Sequence, residues 1–245
     1  MLNSIRSKYI LNLIFENIKQ RVKLKILKNN KQLKKKLNIK LKDFQYYKKL
    51  EELNKKLNIN IENINIKLLN LKRKNIGNEE LQYLGDIEFE ELETLNLCQN
   101  NLKSLNALKN FKFEKIETLK LHDNYLSDIN IFEKIDLKEL RELDLSYNKI
   151  SDINVFSKVN FKKLEKLHLG SNFISEINIL ENVDFKELKE LDLSENKITD
   201  IKVFMFAIFK KLKLLYLIGN RIDKNKIENN LILIKLKSKV HNLYI

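Results

Sequence analysis

The sequence predicts an α/β repeat fold, in which stacked copies of a 24-residue unit each give one short strand to a parallel sheet. Three observations predict it. Sliding the chain by 24 residues aligns Leu95, Leu119, Leu143, Leu167, Leu191 and Leu215 in one column, and Leu97, Leu121, Leu145, Leu169, Leu193 and Leu217 in a second. A third column holds Asn100, Asn124, Asn148, Asn172, Asn196 and Asn220 without exception. Two segments two periods apart, LDLSYNKISDI (Leu143–Ile153) and LDLSENKITDI (Leu191–Ile201), are near-copies of each other.

Each column has a physical reading. Leu-x-Leu has period 2, so both leucines point inward and the residue between them points out. The Asn ends each strand where the chain turns inward. There its amide can donate to a backbone carbonyl and accept from a backbone N–H. Asp could only accept, which accounts for the strictness of the column. The six Asn are therefore read as a structural ladder.

The second half of each unit has its own columns. Ile129, Ile153 and Ile177 lead into Asn130, Asn154 and Asn178, and Glu133 and Glu181 stand three residues beyond the first and third of these. The spacing predicts a helix N-cap with a capping-box acid, opening a short helix. Phe132, Phe156, Leu180 and Phe204, followed by Ile135, Val159, Val183 and Ala207, are expected on its buried side. Phe89, Phe113, Leu137, Phe161, Phe185 and Phe209 form an aromatic spine packed in the core.

Each copy reads L-x-x-L-x-L-x-x-N-x-[LI], and from Leu92 to Ile222 the chain resembles the leucine-rich repeat family. The resemblance implies a curved solenoid, with a parallel sheet on the concave face and short helices or turns on the convex face.

Three regions follow. Residues 1–65 do not repeat and read as a basic helical module. Residues 66–222 hold the repeats, opening with a degenerate copy at 66–88 in which Asn75 sits one residue late. Residues 223–245 read as a C-terminal cap. In the first region, Asp43–Leu57 places Phe44, Tyr47, Leu50, Leu53 and Leu57 on one helical stripe with Asp43 as cap. Ser7–Lys19 and VKLKIL (Val22–Leu27) are also read as helical. The stretch from Ser7 to Leu37 resembles an F-box, with its Ile-Leu-x-x-Ile-Phe helix and basic end. It lacks the leading Leu-Pro and the Trp-Arg-like close of that family, and a helical cap of its own kind is the alternative reading.

Charge is uneven. Of the net +14, residues 1–75 carry 21 Lys/Arg against 5 Asp/Glu, whereas residues 76–222 carry 21 against 26. A solvated basic face is favoured over a nucleic-acid partner for the N-terminal third. Cys98 is the single cysteine and there is no Asn-x-Ser/Thr sequon, which points to the cytoplasm or nucleus. No apolar run is long enough to span a bilayer, so no membrane is expected. Glycine-rich phosphate loops, Cys-x-x-Cys and His-Glu-x-x-His are missing, so neither an enzyme nor a cofactor is expected.

The candidate working surface is then the concave face. Its central outward column is Asn96, Lys120, Asp144, His168, Asp192 and Tyr216, flanked by Glu142, Lys166 and Glu190 on one side and Cys98 and His122 on the other. Tyr147, Phe173 and Glu195, with Tyr125, are expected to be exposed just past the strands. These residues suit a protein partner. If the F-box resemblance holds, it implies a cullin-ligase adaptor on the N-terminal helices. The N-K-I-S-D-I repeats also resemble phosphatase regulators, which implies a phosphatase in the concavity.

Overall fold

The computed structural model describes residues 30–36, 41–61, 66–85, 87, 89–206 and 209–245. It divides into two units, residues 1–64 with 86–88, and residues 65–85 with 89–245.

The first unit contains α1 (Lys31–Lys36) and α2 (Leu41–Leu57). Asn30 caps α1, its Oδ1 accepting from the Leu33 N–H at 2.9 Å. α2 buries Leu50, Leu53 and Leu57, the later part of the expected stripe. Asp43 does not cap it, because the helix is already under way at Leu41. Asn54 closes the turn after α2: its Nδ2 donates to the Ile61 carbonyl and its Oδ1 accepts from the Ile61 N–H, both at 2.8 Å. The helices expected at Ser7–Lys19 and Val22–Leu27, most of the F-box-like stretch, and the side chains of Phe44 and Tyr47 lie outside the described residues.

The second unit is one unclosed, curved parallel sheet of eight three-residue strands in sequential order. They are β1 (Leu68–Asn70), β2 (Thr94–Asn96), β3 (Thr118–Lys120), β4 (Glu142–Asp144), β5 (Lys166–His168), β6 (Glu190–Asp192), β7 (Leu214–Tyr216) and β8 (Asn242–Tyr244). Leu119 pairs with Leu143, Leu143 with Leu167 and Leu167 with Leu191, the register that the columns predict. All twelve column leucines are buried. β1 pairs Leu69 with Leu95, so the degenerate first copy is 26 residues long and Lys74 takes the ladder position one residue before Asn75. In this copy α3 (Asn78–Gly85) stands where the later copies have a 3₁₀ turn. At the other end α4 (Ile227–Lys239) buries Ile232, Leu233 and Leu236, and β8 pairs in parallel with β7.

Between strands the chain makes 3₁₀ turns in place of the expected α-helical caps, at Asn106–Asn110, Asn130–Lys134, Asn154–Ser157, Asn178–Glu181 and Lys202–Met205. Four or five residues complete one or two such turns, too few for an i→i−4 ladder. The expected N-caps Asn130, Asn154 and Asn178 instead lie inside the turns. At three of the turns the local cap is the aspartate two residues before the turn begins. Asp128 accepts from the Asn130 N–H, Asp152 from the Asn154 N–H and Asp200 from the Lys202 N–H, each at 2.8 Å. Phe132, Phe156, Leu180 and Phe204 are buried as expected, whereas Ile135, Val159 and Val183 are only half-buried; Ala207 lies outside the described residues. The spine members Phe89, Phe113, Leu137, Phe161 and Phe185 are buried, with the Phe161 and Phe185 ring centroids 6.4 Å apart, and Phe209 is half-buried.

The Asn ladder spans the array. Asn148 Nδ2 donates to the carbonyls of Leu121 (3.1 Å), Leu145 (3.0 Å) and Ser146 (3.1 Å), and its Oδ1 accepts from the Leu126 N–H at 3.0 Å. Asn124, Asn172 and Asn196 repeat this pattern one rung at a time. Each carboxamide thus ties its own strand end to the previous rung. Ion pairs run alongside at the same period: Lys115–Glu91 at 2.6 Å, Lys163–Glu139 at 2.5 Å and Lys211–Glu187 at 2.6 Å. In the column next to the strands, Glu165 meets both Arg141 (2.9 Å) and Lys189 (2.5 Å).

Two predictions follow from these ladders. Asn148→Ala leaves buried backbone groups unpaired and should cost about 1–3 kcal/mol. Asn101→Ala, at an exposed turn position, should cost less than about 0.5 kcal/mol. Urea denaturation of the two variants checks the difference, and equal losses would contradict the ladder. The Glu165 carboxyl is held below its ordinary value, first by its hydrogen bond from Lys189. That contribution is present above the unfolded carboxylate pKa and is lost as pH falls through the folded one. Glu165→Gln should therefore lessen the acid-side loss of stability, measured as Tm against pH.

Candidate protein-binding face

The outward residues of the strands form one open surface. Adjacent strands lie about 4.8 Å apart, so each outward column is a row of side chains at that pitch. Asp144, His168 and Asp192 stand in direct register on β4, β5 and β6. The nearest carboxylate to the imidazole is nevertheless Glu190, whose Oε1 is 3.2 Å from His168 Nε2 without the geometry of a hydrogen bond.

The aspartates are turned elsewhere. Asp144 Oδ1 accepts from the Ser146 N–H at 3.1 Å and from its hydroxyl, and Asp192 Oδ1 accepts from the Ser194 N–H (2.8 Å) and hydroxyl (2.5 Å). The D-L-S of each near-copy is therefore a self-contained clamp that holds the carboxylate against the end of its strand. Gly170 leaves room for it: a Cβ there would lie 2.9 Å from both Asp192 Oδ2 and Ser194 Oγ.

Glutamates of the first outward column pair with lysines of the neighbouring strands. Lys120 meets Glu142 at 2.9 Å and Lys166 approaches Glu190 to 3.9 Å. The hydrogen bond to Glu142 raises the Lys120 ammonium pKa above its ordinary value. At the C-terminal end the face becomes aromatic and apolar. Tyr216 stacks on Tyr244 with centroids 4.6 Å apart and rings 4° from parallel, and Ile218 beside them is 52% exposed. Burial, and then the Glu190 carboxylate, raise the Tyr216 phenol. The sequence reading did not place Tyr244 on this face; the Leu-Tyr alternation at Leu243–Tyr244 was its only signal.

The exposed aromatics line the rim past the strands. Tyr147 is 59% exposed and meets His122 edge-on at 5.4 Å between ring centroids. Lys149 lies over Tyr125 at 5.0 Å and Lys197 over Phe173 at 4.5 Å. Gln99, Asp123, Tyr147, Ser171 and Glu195 all have left-handed φ of 52–57°, and the last member of that column is Gly219 at 75°. Glu195 lies directly against Gly219, where any Cβ would clash with its carboxylate.

Cys98 departs from expectation. It is not part of the open surface, because it is only 4% exposed. Its N–H is bound by Asn96 Oδ1, and burial pushes the thiol pKa up. At neutral pH the sulfur is therefore protonated and shielded. A thiol reagent should label the native chain far more slowly than the urea-unfolded chain. Equal rates would contradict this burial.

Two family models match the chain. The "Leucine rich repeat" model matches residues 90–150 and 162–222, and "Leucine Rich repeats (2 copies)" matches residues 138–182. Between them they span more than half of the chain. Among solved structures, the chain is similar to internalin C2 of Listeria monocytogenes, with 22% identity and a TM-score of 0.52, covering 73% of this chain and 80% of that one. A second Listeria monocytogenes internalin, inlF, gives 24% identity and a TM-score of 0.50, covering 66% of this chain and 49% of that one. These likenesses concern the fold. A comparison with curated proteins gives no match. Among the described residues no helix is long and apolar enough to cross a membrane. With its Asn ladder, inward leucines and matching family models, the chain belongs to the leucine-rich repeat family.

Proposed function

We propose that this chain is a non-catalytic scaffold that holds a protein partner on the concave face of its sheet. Leucine-rich repeats generally mediate protein–protein interaction, and their fold is generally a non-catalytic scaffold. The observation that carries the reading is the division of labour along each strand. Inward positions are uniformly buried leucine, while outward positions hold unrelated, partly exposed residues: Lys120, Glu142, Asp144, Lys166, His168, Glu190, Asp192 and Tyr216. A surface so pre-organised loses little conformational entropy on binding. His122, Tyr147, Phe173 and Glu195 extend it along the rim. A cytoplasmic or nuclear location fits the single cysteine and the lack of sequons. Neither a cullin adaptor nor a phosphatase gains support from the described residues or from the comparisons.

A photo-crosslinking amino acid at position 166 on the face, and in a second chain at position 162 on the opposite side, tests the reading in cell extract. A discrete crosslinked species from position 166, missing from position 162, is expected. Crosslinks from position 162 alone would overturn it.

A further inference from the structure

We propose that the stretch of this face from β4 to β8 takes an extended peptide segment whose arginine lies between Asp192 and the ring of Tyr216, next to an apolar side chain. The proposal rests on the concave-face reading above and names the chemistry of the partner.

Charge complementarity selects the cation. The chain is strongly basic overall, but β4 to β6 present Glu142, Asp144, Glu190 and Asp192 against Lys166. The pairs on the face leave the two aspartates over. Lys120 meets Glu142, Lys166 meets Glu190, and among the described residues no Lys or Arg lies within ion-pair distance of Asp144 or Asp192. Each aspartate is pinned through Oδ1 by its serine, while Oδ2 accepts no hydrogen bond among the described residues and, in Asp192, lies over the bare backbone of Gly170. The carboxylate is thus positioned before anything binds, which removes an ordering cost.

The aromatic end selects arginine over lysine. Tyr244 covers one face of the Tyr216 ring, and the strand on the other side of Tyr216 carries Asp192 at the paired position. A planar guanidinium set there stacks on the ring while donating to the carboxylate; an ammonium can do only the second. Ile218 and Tyr244 stand just beyond, both exposed, and offer apolar contact.

Spacing then limits the segment. An extended peptide crossing the strands puts same-side residues about 6.8 Å apart, against a rung of about 4.8 Å. With the arginine between β6 and β7, the side chain two residues on reaches β8 and Tyr244. The side chain four residues earlier reaches β4 and Asp144, where a second cation fits. The reverse chain direction gives the mirrored order.

Selection of a random twelve-residue phage-displayed library on the purified full chain tests this. Arginine with an apolar residue two positions away should be enriched. A synthetic peptide of the selected sequence should bind Asp192→Asn about tenfold more weakly, with the Tm of the variant unchanged, and replacing its arginine by lysine should weaken binding severalfold. No enrichment of arginine, no selected peptide at all, or equal binding to wild type and Asp192→Asn would overturn the proposal. Lys166→Trp, which obstructs the same face, separates the two levels. Peptides without arginine that Lys166→Trp still blocks sink the arginine site and leave the concave-face reading standing. Peptides indifferent to Lys166→Trp sink both.

Discussion

Every strand among the described residues is three residues long, and a chain that leaves a sheet after three residues must turn inward with its backbone groups still unpaired. The Asn carboxamide at the end of each strand resolves that problem. It offers two N–H donors and one carbonyl acceptor in a rigid plane, and it uses them on the carbonyls of its own strand end and of the previous rung, and on an N–H of the previous turn. Left unpaired in the interior, those groups would each cost on the order of 1–3 kcal/mol. Because the bonds run to the neighbouring rung, they also set the stacking distance. The buried leucines and the phenylalanine spine then fill a space whose dimensions the ladder has fixed.

The same turn places one residue per repeat in the left-handed region. Glycine occupies that column only at Gly219; elsewhere it holds Arg73, Gln99, Asp123, Tyr147, Ser171 and Glu195. A side chain at such a φ costs of order 1 kcal/mol. In return it projects at the rim, beside the open face. The scaffold thereby carries polar and aromatic groups at positions where conformation alone would favour glycine.

Charge is distributed by the same period. Columns that alternate Glu and Lys every 24 residues pair off rung by rung away from the face, as Glu91–Lys115, Glu139–Lys163 and Glu187–Lys211 do. Exposed pairs of this kind add little stability individually. Their effect on the surface is larger, since charges that neutralise one another locally do not compete with the face. There the pairing is incomplete, and the unpaired groups are carboxylates on a chain whose overall charge is +14.

Periodicity made most of the fold legible. A 24-residue repeat with two leucine columns and an invariant Asn has one economical solution, a stack of parallel strands, and the register followed because a one-residue slip would turn every leucine outward. The outward columns were legible for the same reason. Some further features were also written in the sequence: the Asp128, Asp152 and Asp200 caps and the alternating Glu–Lys columns both recur at the repeat period. Other features were decided only by the tertiary structure. Asp144 and Asp192 turn to Ser146 and Ser194 rather than to His168, because a hydrogen bond to the serine two residues on, just past the strand end, is shorter than a reach across the rung. Cys98 is buried, although its column is outward. Tyr244 joins the concave face only through the pairing of β8 with β7, strands that α4 separates in sequence. Which columns exist is local and periodic information, carried by the sequence itself; which way a polar side chain turns within its column depends on neighbours that only folding brings together.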